Sequence, residues 1–204
     1  MKLNKIIPII IILSIVGFII YSLQGSQSGE GYLDEIKKHR KEKDNLIMNE
    51  GAPFAGKANE FTGLKYFDID PYYRISASLK PIKDKKVVRL STNDGLENRY
   101  LEYAWAEFAI NNKKCKLLIL EIMEPGPDRG TLFLAFADET SARETYGAGR
   151  YLDIKKVPGS SSVLLDFNKA YNPYCAYSDS FSCPFPPKEN ILNVSIRAGE
   201  KVYH

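Results

Sequence analysis

Histidine is almost missing from this chain, and cysteine is scarce. The two histidines are His39, inside a lysine-rich stretch, and His204, the last residue. A Ser-His-Asp or Cys-His hydrolase needs a positioned imidazole, and neither place offers one. The three cysteines are Cys115, Cys175 and Cys183, and no C-x2-C or H-x3-H pair occurs. Zinc centres built from these residue types need about four closely spaced ligands, so that class is excluded as well. A surplus of one charge is also lacking. Lys2 and Lys5 are the only charged residues in 1–29, and beyond them Lys and Arg nearly balance the 25 Asp and Glu. A chain so balanced has no long-range field to attract nucleic acid, which is not expected as a partner.

Apolar residues are plentiful, at 44% of the chain with 12% aromatic, enough for a packed core. Part of that apolar content is concentrated at the start. Residues 6–23 read IIPIIIILSIVGFIIYSL, without one charge. As a helix this run spans roughly 27 Å, close to the ~30 Å hydrocarbon core of a bilayer. Pro8 falls in the first turn, where a missing N–H costs little. A helix apolar on every face suits lipid better than a protein core. Lys2 and Lys5 precede the run and are expected to keep the N-terminus cytoplasmic.

Residues 1–24 therefore read as a signal anchor or signal peptide, with residues 25–31 a tether and 32–204 a single globular domain. The domain is expected outside the cytoplasm, on a bacterial inner membrane, in the periplasm or at the cell surface. It would be secreted if the leader were removed. Ser26 and Ser28 offer small residues for cleavage but lie beyond the apolar run, so an uncleaved anchor is the preferred reading. Lys37, Lys38, Arg40, Lys41 and Lys43 lie on the far side and weigh against this orientation.

Within the domain, residues 32–48 carry an apolar stripe of Leu33, Ile36 and Ile47, which predicts one amphipathic helix. Thereafter the period changes to two. Tyr73, Ile75, Ala77 and Leu79 alternate with polar residues, and further strands are expected at 87–90, 100–110, 115–123, 131–137, 163–167 and 192–197. Asn111-Asn112-Lys113 predicts a hairpin turn. The fold class expected is mainly β, a β-rich α+β domain. It would be an antiparallel barrel or sandwich, preceded by the transmembrane helix and the amphipathic helix.

Two polar blocks near the C-terminus carry Glu144-Thr145-Tyr146, Gly149-Arg150-Tyr151, Asp166-Phe167-Asn168, Ala170-Tyr171-Asn172-Pro173, Cys175-Ala176, Cys183-Pro184, Pro186-Pro187, Glu189-Asn190 and Ala198-Gly199-Glu200-Lys201. In this order they resemble the domain of unknown function 1684 family, uncharacterised and mainly bacterial. The chain resembles its short form, with an N-terminal membrane segment in place of the extra β-rich module of longer members. The resemblance implies no activity, cofactor or catalytic residue. A relation to flavin-binding split barrels, and with it an oxidoreductase, is the alternative it suggests; a hydrolase using a buried carboxylate is another.

The residues themselves leave several readings open. Gly147-Ala148-Gly149 lacks the third glycine of a dinucleotide fingerprint and reads as a tight turn presenting Arg150. Arg150 suits either a carboxylate or phosphate ligand or a buried acid such as Asp166. Asp166, Asn168 and Asn172 cap turns, or else line a polar pocket. Arg150, Asn168, Tyr171, Asn172 and Asn190 are the candidate ligand-binding residues for a small molecule. Asp166, Glu144 and Glu200 are the candidate acids or bases; a metal site from those three carboxylates has no support in spacing. Cys175 and Cys183 are expected to close a disulfide in an oxidising compartment, with a redox-active pair the alternative.

Overall fold

The structure is a computed structural model that describes residues 30–156 and 158–203. The apolar run at 6–23 lies outside the described residues. Among the described residues no helix is long and apolar enough to cross a membrane. The chain divides into two units at Lys41/Glu42. In the first, the described residues are the opening turns of a helix, α1, that runs continuously over residues 30–46. Its start takes in two residues expected to be tether. Ile36 and Ile47 of the expected stripe are buried and Leu33 is half-buried.

The second unit is built on seven strands, β1 (Arg74–Pro81), β2 (Val87–Ser91), β3 (Glu97–Ile110), β4 (Lys113–Ile122), β5 (Leu132–Phe136), β6 (Arg150–Ile154) and β7 (Ser162–Asp166). All pairings are antiparallel, in the order β6-β5-β4-β3-β1-β7, with β2 also on β3. Both β1 and β2 lean on the long β3, at Ala104–Glu107 and Glu97–Leu101 respectively. Between these stretches the β3–β4 register shifts at Glu102/Ala104, leaving Tyr103 as a bulge. Bulges bend and twist the strand that holds them. The sheet curls accordingly into a half-barrel, with β6 brought near β7. The β3–β4 hairpin turns on Asn111 (φ 50°) and Asn112 (φ 61°), a left-handed pair that asparagine tolerates.

The concave face is packed with Ala106, Ile110, Leu117, Ile119, Leu134, Phe136, Leu165 and Phe167. Leu192, Val194, Ile196 and Ala198 close it from the other side. This last segment has the period-two burial expected of a strand at 192–197, yet it is not one. The carbonyls of Ile196, Ala198 and Glu200 accept hydrogen bonds from the Arg150 guanidinium rather than from a neighbouring backbone. A side chain does here what a strand edge would do. Conversely, β6 was not expected; it begins directly after Gly149, whose φ of 88° turns the chain onto the edge of β5. A Cβ at Gly149 would lie 2.6 Å from the Phe136 carbonyl, so glycine is required there.

Candidate functional site around Glu200

The C-terminal polar residues separate into structural clasps and one cluster with chemical potential. Arg150, 1% exposed, is a clasp. Its Nη2 donates to Asp138 Oδ2 at 2.7 Å and to the Ile196 carbonyl at 2.9 Å. Its Nη1 serves the Ala198 and Glu200 carbonyls. The expected acid partner Asp166 is thus replaced by Asp138, which closes a short turn onto Thr140. The fork engages protein atoms, which removes Arg150 from the ligand-binding candidates. Burial lowers its pKa and the Asp138 charge opposes that.

Asn190 is another clasp. Its Oδ1 accepts from Leu118 N at 2.6 Å, and its Nδ2 donates to the carbonyls of Leu118 and Ala135. These groups lie past the last β4–β5 ladder pair, where the two strands part. Asn168 likewise clips the Asp70 backbone, accepting from its N–H at 2.9 Å and donating to its carbonyl at 2.8 Å. Asp166 ends β7 and caps the 3-10 turn Phe167–Lys169. Glu144 is on the surface, paired with Arg197 at 3.0 Å. Asp166, Glu144 and Glu200 are therefore not gathered into a metal site; no such cluster occurs among the described residues.

Tyr171, Asn172 and Glu200 do come together. Gly199, at φ 76°, swings the chain so that Glu200 N reaches the Ala170 carbonyl at 2.9 Å and the carboxyl turns inward. One carboxyl oxygen accepts from the Tyr177 hydroxyl and from Asn172 Nδ2 at 2.8 Å. The other accepts from Asn172 N at 3.1 Å. Glu200 is 1% exposed, and burial pushes its pKa up to about 7 even though Tyr177, Asn172 and Lys43 pull the other way. Lys43, from the last turn of α1, lies 3.4 Å above the Tyr171 ring. Desolvation lowers its pKa, while Asp153 and Glu200 hold it up. Tyr171 donates to Asp153 at 2.7 Å, and burial and that carboxylate push its own pKa upward.

A cavity of about 30 Å³ opens among these groups, with the exposed Leu46 and Tyr174 at its rim. A water needs on the order of 10–15 Å³ on this measure, so the space fits one or two waters or a compact polar group. Asn172 Oδ1 is buried beside it without a hydrogen-bond partner. An isoalloxazine ring is too large for this cavity, and the roomier cleft at Glu139, Arg143, Glu144 and Arg197 has charged rather than apolar walls. Neither place fits a flavin.

Lys43 and Tyr177 were missed from sequence for different reasons. Lys43 is one of five basic residues in a segment that reads as a solvated face, and only the fold singles it out. Tyr177 shares an aromatic cluster with Phe54 and Tyr203, and its type alone suggests core. Cys175 and Cys183 are adjacent but separate thiols, with Cys175 N donating to Cys183 Sγ at 3.1 Å.

No curated protein matches the chain. Among solved structures, the solution NMR structure of an uncharacterized protein from Haloarcula marismortui is similar. The two are 34% identical with a TM-score of 0.67, over 87% of this chain and 99% of that one. The family model described as "Protein of unknown function (DUF1684)" matches residues 59–201. That span takes in all seven strands and the Asn172, Tyr177 and Glu200 cluster, and the chain belongs to the DUF1684 family.

Proposed function

We propose that the domain binds a compact polar molecule at Glu200, and that the apolar leader carries it as an anchor on the extracytoplasmic face of a membrane. The observation that supports binding is the buried, unpartnered Asn172 Oδ1 beside a protonatable Glu200 and a half-buried Lys43. Buried polar atoms are rarely left unpaired, and one beside a cavity asks for a donor from outside the chain. Glu200 and Asn172 supply acceptors, Lys43 a cation, and Leu46 and Tyr174 an apolar mouth. On this reading recognition falls to Tyr171, Asn172 and Glu200. A carboxyl that titrates near neutrality is also suited to proton transfer, which supports acid–base chemistry on the bound molecule as a second reading.

Native mass spectrometry of the full chain released from detergent is the test. Wild type is expected to retain a small molecule that Glu200→Gln loses by about tenfold or more, a difference of roughly 1.4 kcal/mol. Equal occupancy in both, or none in either after incubation with a metabolite extract, overturns the reading. N-terminal sequencing of the native chain tests the anchor: a start near Gly29 would mean the leader is removed.

A further inference from the structure

Cys175 and Cys183 lie outside the Glu200 chemistry, and their placement has its own logic. Cys175 is central in the 3-10 turn Tyr174–Ala176, and Cys183 returns to it at the end of an exposed loop through Asp179, Ser180 and Ser182. That loop is pinned from outside. Asn93 Oδ1 accepts from Cys183 N at 2.7 Å, Asn93 Nδ2 donates to the Phe181 carbonyl at 2.9 Å, and Ser182 donates to Asp94. The β2–β3 turn thus fixes Cys183 against Cys175. The Cys175 N–H donates to Cys183 Sγ at 3.1 Å, and the Tyr146 hydroxyl donates to Cys175 Sγ at 3.8 Å. Both cysteines keep a small exposed fraction, 8% and 7%, directly beneath the polar loop.

From this geometry we infer that Cys175 and Cys183 are a redox-active dithiol that exchanges with small disulfides, with Cys175 attacking and Cys183 resolving. The Cys175 thiolate attacks one sulfur of an external disulfide, forming a mixed disulfide and releasing one thiolate. Cys183 then loses its proton to solvent and attacks Cys175 Sγ. This closes the Cys175–Cys183 bond and expels the second thiolate. Two electrons pass from the pair to the external disulfide, and the two thiol protons end on the released thiols. The order follows from the Tyr146 hydroxyl, which donates to Cys175 Sγ, and from Cys183 being tied through its own N–H to Asn93. Hydrogen bonds from the Cys183 thiol and Tyr146 bring the Cys175 pKa down to about 7, while the same sharing pushes Cys183 up. A thiol titrating near ambient pH is the effective attacker.

The exchange would be felt at the Glu200 site. Asn172 and Tyr177, which hold the Glu200 carboxyl, flank Cys175 within one short stretch of chain.

Titration of the full chain in detergent against mixtures of reduced and oxidised glutathione, followed by alkylation and peptide mass mapping, tests this. A reversible Cys175–Cys183 link is expected, with Cys115 left alkylatable. Cys183→Ser is expected to trap glutathione on Cys175 at about ten times the level that Cys175→Ser traps on Cys183. Failure of wild type to form the link in excess oxidised glutathione overturns the inference. A link that excess reduced glutathione cannot reopen also overturns it, leaving a structural staple. Trapping on Cys183 alone overturns the assigned order.

Discussion

Arg150 and Glu200 are both 1% exposed, and the protein treats the two buried charges in opposite ways. Arg150 stays charged because Asp138 and three carbonyls surround its planar fork. Lysine can keep the charge but not the geometry, so Arg150→Lys should cost about 3 kcal/mol or more, read from urea denaturation midpoints. Glu200 is held by the neutral Asn172 and Tyr177, with a lysine only nearby, and it drifts toward neutrality. Its folded pKa of about 7 stands above the ordinary 4.5. The native state therefore binds the proton more tightly than the unfolded chain does. The stability this contributes is complete below about pH 4.5 and is lost as pH rises through about 7, by roughly 3 kcal/mol. Lys43, Tyr177 and Asn172 face the carboxyl throughout this range. Melting temperatures between pH 4 and 8 should fall in wild type, and Glu200→Gln should flatten that slope. Of the residues that matter here, Arg150, Tyr171, Asn172 and Glu200 stand out in the sequence because polar and Gly-flanked residues crowd there. Which acid Arg150 meets is set by β6 lying beside β5, and no local pattern records that.

At the scale of elements, the strands from β1 to β5 and β7 follow alternation and turn chemistry that the sequence carries openly. Arg74–Pro81 buries Ala77 and half-buries Ile75 and Leu79, and the Asn111-Asn112 turn occurs where two left-handed residues are needed. The final segment misleads for a physical reason. Its alternation reports only which side chains face the core, and a backbone satisfied by a guanidinium alternates as well as one in a ladder. Gly199 is the pivot of that segment. A Cβ there would meet the Ala170 and Phe167 carbonyls at 2.5 and 2.6 Å, on a backbone with φ 76°. Gly199→Ala combines left-handed strain with backbone overlap and should cost about 3 kcal/mol. Its distinct signature should be at Glu200, whose titration near 7 returns toward the ordinary carboxylate range, readable by isotope-edited infrared of the carboxyl.

For the whole molecule, composition and period are enough to find a β-rich domain, but not the half-barrel curl. That curl goes with one bulged residue, Tyr103, skipped by the β3–β4 register in a strand long enough to serve β1 and β2 together. The near-neutral charge beyond residue 29 leaves the domain without a long-range field of one sign. The Arg150 clasp has one more consequence, in time rather than in space. The carbonyls it seats belong to Ile196, Ala198 and Glu200, which follow every strand of the sheet in the chain and are made after them. While they are still inside the ribosome, the concave face of the sheet has no cover and the guanidinium has little to hold. The domain therefore locks only once this segment has followed the sheet out, and until then the chain remains open enough to be threaded.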